Sequence, residues 1–325
     1  MFPFQFTTAT DENSALAGAA AGGRYIAGGT TMVDLMRETV ERPSSVVDIN
    51  GLPYRDIDLQ PDRLRVGALV RMSRLASDPT VREHFPVITE ALEKSASAQL
   101  RNMASIGGNL MQRPRCLYFR DVTAACNRRS PGSGCAAIDG YNRNHAILGT
   151  STACVATHPS DLAVALVALD AVIHTVDRNG TQQIPIGTFF RRPGDTPDRE
   201  HALPDGALIT AVEVPVSAAA RRSGYLKVRD RESYEFALTS AAVALAISDG
   251  RIRSARVAAG GVGTVPWRMS AVEQALTGRT PSPRLFAEAA ALAAEGAQPL
   301  SQNAFKVELI KRTVQRQLAA VAGLP

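Results

Sequence analysis

The sequence lacks the features of a membrane-spanning, exported or nucleic-acid-binding chain. It contains no uninterrupted apolar run of transmembrane length. Its first residues, MFPFQFTTATDENS, have neither the basic nor the apolar segment of a signal peptide, so we expect export only as a folded passenger on a partner that carries a signal. The formal charge is +5 and the arginines are scattered rather than clustered, which disfavours binding to nucleic acid.

Internal repeats and low-complexity tracts are also absent, which excludes a repeat array. The composition, with 45% hydrophobic and 21% charged residues, is that of an ordinary globular protein. A chain of 325 residues is long enough for two domains. The patterns predict alternating strands and helices over residues 1–217, and then an antiparallel sheet with helices over residues 218–325, an α+β chain overall. In the second part, Asp249-Gly250 predicts a hairpin turn and three amphipathic helices follow.

The dinucleotide fingerprint G-x-G-x-x-G is missing as well, which argues against a Rossmann domain. The segment YIAGGTT instead places Gly28 and Gly29 between a predicted strand and a helix that begins near Met32. Paired glycines let a ligand approach the backbone, and free N–H groups at a helix start favour an anion such as a pyrophosphate. Taken alone, the loop is more typical of a plain turn.

Two further segments repeat this chemistry. ASIGGNL offers the Ser105 hydroxyl, two glycines and the Asn109 amide in what reads as a second glycine turn. HPSDLA places Asp161 at a predicted helix start, where it either caps the helix or accepts hydrogen bonds from a ribose or ribityl hydroxyl. The three segments together favour a nucleotide cofactor more than any one of them does.

Cysteine is absent everywhere except in residues 111–157. This polar stretch, rich in glycine and proline, holds all four cysteines: Cys116, Cys126, Cys135 and Cys154. Two disulfides, a zinc site and an iron–sulfur cluster are the alternatives. Zinc sites normally show paired C-x₂₋₄-C spacing, which this stretch lacks, and the spacing does not match the ferredoxin run either. The residues alone leave iron–sulfur only modestly ahead.

The combined motifs resemble the FAD-binding medium subunits of the xanthine dehydrogenase and molybdenum hydroxylase family. The resemblance covers nearly the whole chain and lies in the segments YIAGGTTMVDLM, LRVGALVRMSRLA, QLRNMASIGGNLMQR, THPSDLAVAL, LITAVEVP and KVRDRESYEFALTSAAVAL. It implies a PCMH-type FAD-binding domain of two α/β parts at residues 1–217, followed by the C-terminal domain of these medium subunits at residues 218–325.

The resemblance also implies the flavin-site residues. The pyrophosphate would be held by Ala27, Gly28, Gly29, Thr30, Thr31, Met32 and Val33. The rest of the FAD site would include Ser105, Gly108, Asn109, His158 and Asp161. Leu208 would pack on the isoalloxazine, and Lys227 would lie near its pyrimidine edge, where a cation stabilises the negative charge of the reduced flavin. The first glycine segment has no His or Cys for a tether, so we expect non-covalent FAD.

Within the family, the periplasmic aldehyde oxidoreductases carry a similar insertion, which implies that the four cysteines bind a [4Fe–4S] cluster. The implied protein passes electrons from a small [2Fe–2S] subunit, fed by a large molybdenum-cofactor subunit that oxidises aldehydes, to an external acceptor. A periplasmic location is then expected, with the cytoplasm as the alternative. The alternatives for function are the medium subunit of a hydroxybenzoyl-CoA reductase and a metal-stapled scaffold without redox activity.

Overall fold

The computed structural model describes residues 1–324 and begins with a small parallel sheet. This part contains β1 (Gln5–Thr8), α1 (Glu12–Ala20), β2 (Arg24–Ile26), α2 (Met32–Arg37) and β3 (Ser45–Asp48). The strands lie in the order β1-β3-β2 and run parallel. The edge strand β2 leads directly into the first glycine loop, and α2 follows that loop, as the sequence predicts.

A second, antiparallel sheet and most of the helices form the next part. Its elements are β4 (Ile57–Leu59), β5 (Arg63–Gly67), α3 (Met72–Ser77), α4 (Pro79–His84), α5 (Pro86–Glu93), α6 (Ala98–Met103), α7 (Ile106–Leu110), α8 (Leu117–Arg120), α9 (Asp161–Ala168), β6 (Val172–Asp177), β7 (Gly180–Pro185), α10 (Ile186–Phe189) and β8 (Leu208–Pro215). The sheet order is β4-β5-β8-β6-β7.

The second glycine segment is a short helix, α7, and not the predicted turn. The Ser105 hydroxyl accepts a hydrogen bond from the Gly108 N–H at 3.2 Å and so caps the helix. Gly107 lies against Ala68, where a Cβ would come within 3.0 Å of the alanine methyl group. Gly107 therefore allows α7 to pack closely on Ala68, the residue that follows β5.

The C-terminal part is an antiparallel sheet covered by helices, as predicted. Its elements are α11 (Ala218–Arg221), β9 (Ser223–Val228), β10 (Thr239–Ser248), β11 (Arg251–Gly260), β12 (Trp267–Arg268), α12 (Ser270–Leu276), α13 (Pro283–Ala291), a 3₁₀ turn (Leu292–Ala294) and α14 (Phe305–Ala322). The predicted hairpin joins β10 to β11, with Asp249 at φ 49° and Gly250 at φ 68°. The short edge strand β12 is an addition that the sequence analysis lacks.

Helix α9 connects the two halves through one hydrophobic core. All of its residues are buried, and the core that contains Leu162 and Leu166 also contains Tyr225, Ala242 and Ala258 of the C-terminal sheet. The start of α9 is therefore rigidly placed relative to β9. No helix within residues 1–324 is both long and apolar enough to cross a membrane.

The cysteine-bearing segment, residues 111–157, has almost no regular structure beyond α8 and is held by contacts with the C-terminal part. Ile147 and Leu148 belong to the hydrophobic core of that part. The buried Lys306 ammonium donates hydrogen bonds to the His145 carbonyl at 3.0 Å and to the Gly261 carbonyl at 2.7 Å. The far end of the segment is thus fixed, while the cysteine-bearing loops face back towards α2.

Candidate functional site

A cavity of about 220 Å³ lies where both glycine segments, the start of α9 and the β9–β10 loop meet; we call it the main cavity. Its lining residues are Thr30, Thr31, Met72, Ser95, Ala96, Leu100, Ala104, Gly108, Asn109, Gln112, Arg115, Pro159, Asp161, Arg231, Tyr234, Glu235 and Phe236. The structure therefore brings together Thr30, Thr31, Gly108, Asn109 and Asp161, which the sequence analysis assigns to one cofactor site from three separate segments. Such a mixture of backbone, hydroxyl, amide and charged groups around an apolar floor is typical of cofactor sites.

The first glycine loop is held by polar contacts with residues that do not line the main cavity. Asn50 Nδ2 donates a hydrogen bond to the Ala27 carbonyl at 2.9 Å, and Arg71 donates to Asn50 Oδ1 at 3.1 Å. The Arg71 guanidinium also donates to the Met103 carbonyl at the end of α6. Met32 and Val33, the last residues assigned to the loop, form the first turn of α2. Neither Asn50 nor Arg71 carries a sequence signal that marks it as a support of the loop.

Gly28 is required because the loop touches the backbone of α6. A Cβ at Gly28 would lie 1.9 Å from the Met103 carbonyl oxygen, whereas one at the exposed Gly187 would meet nothing within 4 Å. We expect Gly28→Ala to displace the loop, to cost about 1–3 kcal/mol of stability and to lower flavin retention. Thermal unfolding and the flavin content of the purified chain measure both effects. Gly187→Ala is the matched control, and equal behaviour of the two variants would contradict the close approach.

Asp161 is the most constrained polar group on the cavity wall. Its carboxylate accepts hydrogen bonds from Ser95 Oγ at 3.0 Å, Tyr225 Oη at 2.6 Å and Lys227 Nζ at 2.8 Å. The Lys227 side chain is 1% exposed, so this is a buried ion pair. The helix cap is Ser160, whose hydroxyl accepts from the Ala163 N–H at 3.0 Å, and not Asp161. Burial and the neighbouring carboxylate raise the pKa of Tyr225 well above its usual value, so the phenol remains a proton donor.

The other predicted residues lie at varying distances from the cavity wall. Lys227 stands behind Asp161 and Ser105 caps α7, so both support lining residues. His158 is not among the lining residues: its Nδ1 accepts from the Ser160 N–H at 3.3 Å and its ring packs edge-on against Phe190. Leu208 is buried in a separate hydrophobic cluster with residues of β3 and α1. Of the predicted residues, the structure therefore leaves the following off the cavity wall: Ala27, Gly28, Gly29, Met32, Val33, Ser105, His158, Leu208 and Lys227.

Two groups on the cavity wall are missed by the sequence analysis. One is the β9–β10 loop, whose residue Tyr234 has φ 55° and lies under the Arg231 guanidinium. The other is Arg115, which lies over the Phe236 ring and pairs with Asp34 of α2 at 2.9 Å. Asp34, Glu38 and Glu41 follow one another at helical spacing in the sequence. This acidic face is the one sequence feature that indicates where the basic residues of the cysteine segment pair.

The four cysteines line a second, much smaller space, the thiol pocket, together with Tyr118, Phe119, Ala125, Asn127, Arg128, Ala153 and Ala156. Cys126 and Cys135 face each other on an isolated antiparallel bridge. The Asn127 side chain donates to the Ala153 carbonyl at 3.0 Å and accepts from the Gly134 N–H at 2.8 Å, which ties three parts of the segment together. All four thiols are free, so the structure has no disulfides among them.

Burial disfavours the thiolate form of two of the four cysteines. Burial raises the pKa of Cys116 to about 12 and also raises the pKa of Cys135. Two nitrogen groups approach the sulfurs: His145 Nε2 lies 3.2 Å from Cys116 Sγ, and an Arg128 guanidinium nitrogen lies 3.6 Å from Cys154 Sγ. Within residues 1–324 no three Cys, His, Asp or Glu side chains converge closely enough to hold a single metal ion. The four cysteines line one common space.

The thiol pocket rests on the helix that follows the first glycine loop. Leu35 of α2 packs in one cluster with Phe119 and Cys126. Arg120 pairs with Asp34 at 2.5 Å and with Glu38 at 2.8 Å. Together with the Arg115–Asp34 pair, these contacts join the wall of the thiol pocket to the wall of the main cavity.

Two family descriptions match almost the whole chain. The FAD binding domain in molybdopterin dehydrogenase matches residues 2–217, and the CO dehydrogenase flavoprotein C-terminal domain matches residues 224–321. Among curated relatives, the chain is 44% identical to the aldehyde oxidoreductase FAD-binding subunit PaoB of Escherichia coli (strain K12), over 98% of this chain and 97% of that one. It is 24% identical to the glyceraldehyde dehydrogenase medium chain of Sulfolobus acidocaldarius, over 92% and 90% of the two chains.

Solved structures share the same fold. Quinoline 2-oxidoreductase from Pseudomonas putida 86 has a chain that superposes with a TM-score of 0.77 at 23% identity, covering 99% of this chain and 98% of that one. A carbon monoxide dehydrogenase chain from Hydrogenophaga pseudoflava superposes with a TM-score of 0.77 at 21% identity, covering 99% of both. The α+β architecture predicted from the sequence is confirmed.

Proposed function

This chain belongs to the FAD-binding medium subunits of the molybdenum hydroxylase family, and we propose that it is the FAD- and [4Fe–4S]-containing electron-transfer subunit of a heterotrimeric aldehyde oxidoreductase. The main cavity carries this proposal, because it gathers five of the residues expected to hold FAD from three distant segments: Thr30, Thr31, Gly108, Asn109 and Asp161. The relative of 44% identity is the FAD-binding subunit of an aldehyde oxidoreductase, which supports aldehydes as the substrate class of the complex.

The residues of the main cavity fit a flavin nucleotide. Thr30 and Thr31 offer hydroxyl and backbone donors for the pyrophosphate, and Gly108 and Asn109 line the same cavity. Asp161 is held in place by Lys227 and Tyr225, so it presents a fixed acceptor rather than a mobile one. When bound, FAD supplies the redox chemistry, and the chain supplies binding and orientation, with Lys227 holding Asp161 in place from behind.

The donor set of the thiol pocket fits an iron–sulfur cluster. Four free cysteines around one space match the S₄ ligation that iron–sulfur clusters and zinc share. The ligand count leaves zinc possible, but the spacing lacks the paired C-x₂₋₄-C pattern of zinc sites, and the resemblance to aldehyde oxidoreductase subunits favours the cluster. We therefore assign Cys116, Cys126, Cys135 and Cys154 as ligands of a [4Fe–4S] cluster, which supplies one-electron redox capacity next to the flavin site.

The proposed partners are a large molybdenum-cofactor subunit, where aldehyde is oxidised, and a small [2Fe–2S] subunit that delivers electrons to this chain. An external acceptor then removes them. The test is anaerobic addition of an aldehyde to the purified complex and to the chain alone. We expect bleaching of the flavin absorbance only in the complex. Absence of flavin in the complex would favour the scaffold alternative. A flavin whose absorbance is not bleached by any aldehyde tested would contradict aldehydes as the substrate class.

We expect the FAD to be non-covalent. Residues 27–33 contain no His or Cys that could form the tether used by covalent PCMH-type flavoproteins. Acid precipitation should therefore leave the flavin in the supernatant, where its fluorescence measures the released fraction. Flavin that stays with the precipitated protein would disprove the expectation.

A further inference from the structure

Two buried side chains in and beside the thiol pocket point nitrogen groups at sulfur atoms. His145 is 5% exposed and its Nε2 lies 3.2 Å from Cys116 Sγ. Arg128 is 6% exposed and a guanidinium nitrogen lies 3.6 Å from Cys154 Sγ. Both contacts fall within the range used for hydrogen bonds to sulfur, and they approach two different ligands.

Each group is held in position by contacts that do not involve the sulfurs. The His145 backbone carbonyl accepts hydrogen bonds from Lys306 and Asn303. The Arg128 guanidinium also pairs with Glu200 at 3.2 Å, and Glu200 has a second partner in Arg113 at 2.7 Å. These contacts fix the backbone of His145 and the guanidinium of Arg128, and the burial of His145 restricts the movement of its ring.

We infer that His145 and Arg128 are positioning residues that donate N–H hydrogen bonds to the Cys116 and Cys154 sulfurs and thereby raise the reduction potential of the bound cluster. The inference rests on the proposed [4Fe–4S] site. A metal-bound cysteine sulfur is only an acceptor, so the imidazole nitrogen that faces it must carry a proton. Donors to the sulfurs stabilise the more negative, reduced cluster more than the oxidised one, which is one of the ways in which proteins set these potentials.

The structure offers substitutions that remove little besides these donors. His145 Nδ1 has no hydrogen-bond partner, so His145→Phe keeps an aromatic ring at this position and removes one hydrogen bond, the contact with sulfur. Arg128→Leu leaves Glu200 paired with Arg113. His84→Phe, on α4 in the flavin half, makes the same chemical change away from the thiol pocket and is the matched control.

The experiment is a redox titration of the full chain, followed by EPR, with iron and flavin measured in each sample. We expect a lower cluster potential in His145→Phe and in Arg128→Leu, a larger shift in the double variant, and no shift in His84→Phe. Iron-containing variants with the wild-type potential would overturn the inference and leave the cluster assignment intact. A wild-type chain without iron would instead overturn the proposed function.

A second substitution decides the case in which a variant loses its cluster. If His145→Phe loses its iron, His145→Gln restores an N–H donor at the same position. Iron retention with a potential close to wild type in the glutamine variant supports the inference. Iron loss in that variant too would show that His145 acts only in packing the pocket, and the inference would fail.

Discussion

Cys126→Ser should empty the thiol pocket of iron and, in the same step, lower FAD occupancy and assembly with the partner subunits. Loss of even an indirect support costs roughly 10–100-fold in metal affinity, and loss of a ligand costs more. Metal binding and folding are coupled where ligands lie on backbone with little other structure, which describes residues 111–157. Because Cys126 and Phe119 pack on Leu35, disorder of this segment removes the support of the first glycine loop.

Turnover per assembled complex separates the structural role from a redox role. We expect the Cys126→Ser complexes that do assemble to keep most of their turnover. Full assembly and full FAD content with lost turnover would place the cluster on the main electron path and contradict the structural reading. Val122→Ser, an exposed position in the same segment, is the control and should leave iron, flavin and assembly unchanged.

Asp161→Ala should destabilise the fold by roughly 3–5 kcal/mol as well as weaken FAD binding. The carboxylate is the partner of the buried Lys227 ammonium, so its removal leaves an uncompensated charge in the core. Loss of the acceptor itself should lower FAD affinity by about 1–3 kcal/mol. Chemical denaturation of the apo-protein and titration with FAD measure the two effects separately.

The double variant Asp161→Ala/Lys227→Met distinguishes the two roles of the carboxylate. Removal of the lysine charge should restore much of the stability, because the unpaired charge is gone, while FAD binding remains weak. Full recovery of FAD affinity in the double variant would show that Asp161 serves only to compensate Lys227.

Much of the fold could be predicted because the signals are local. The loop at Gly28 and Gly29 and the Asp249-Gly250 hairpin each follow from a few adjacent residues. The prediction of a turn at the second glycine segment was wrong, because Ser105 caps a short helix, α7, that the same residues form. Whether the Ser-Ile-Gly-Gly segment forms a turn or a helix depends on the packing of Gly107 against Ala68, which the sequence does not show.

The residues of the site could be predicted where they lie in family motifs, whereas the contacts between distant residues could not. Asp161 was expected, but its partners Tyr225 and Lys227 lie 64 and 66 residues away in the sequence and meet it only through the packing of α9 on β9. The gathering of the four cysteines was implied by resemblance, since their spacing left the alternatives open. Arg115 escaped notice because its role depends on contact with α2 and the main cavity.

The most direct test is the metal and flavin content of the purified chain, measured in one preparation by elemental analysis and by flavin extraction. The account predicts iron and FAD in a ratio of about four to one, without zinc, and a parallel loss of both in Cys126→Ser. Zinc in place of iron, or a chain that keeps its FAD when the thiol pocket is emptied, would contradict it.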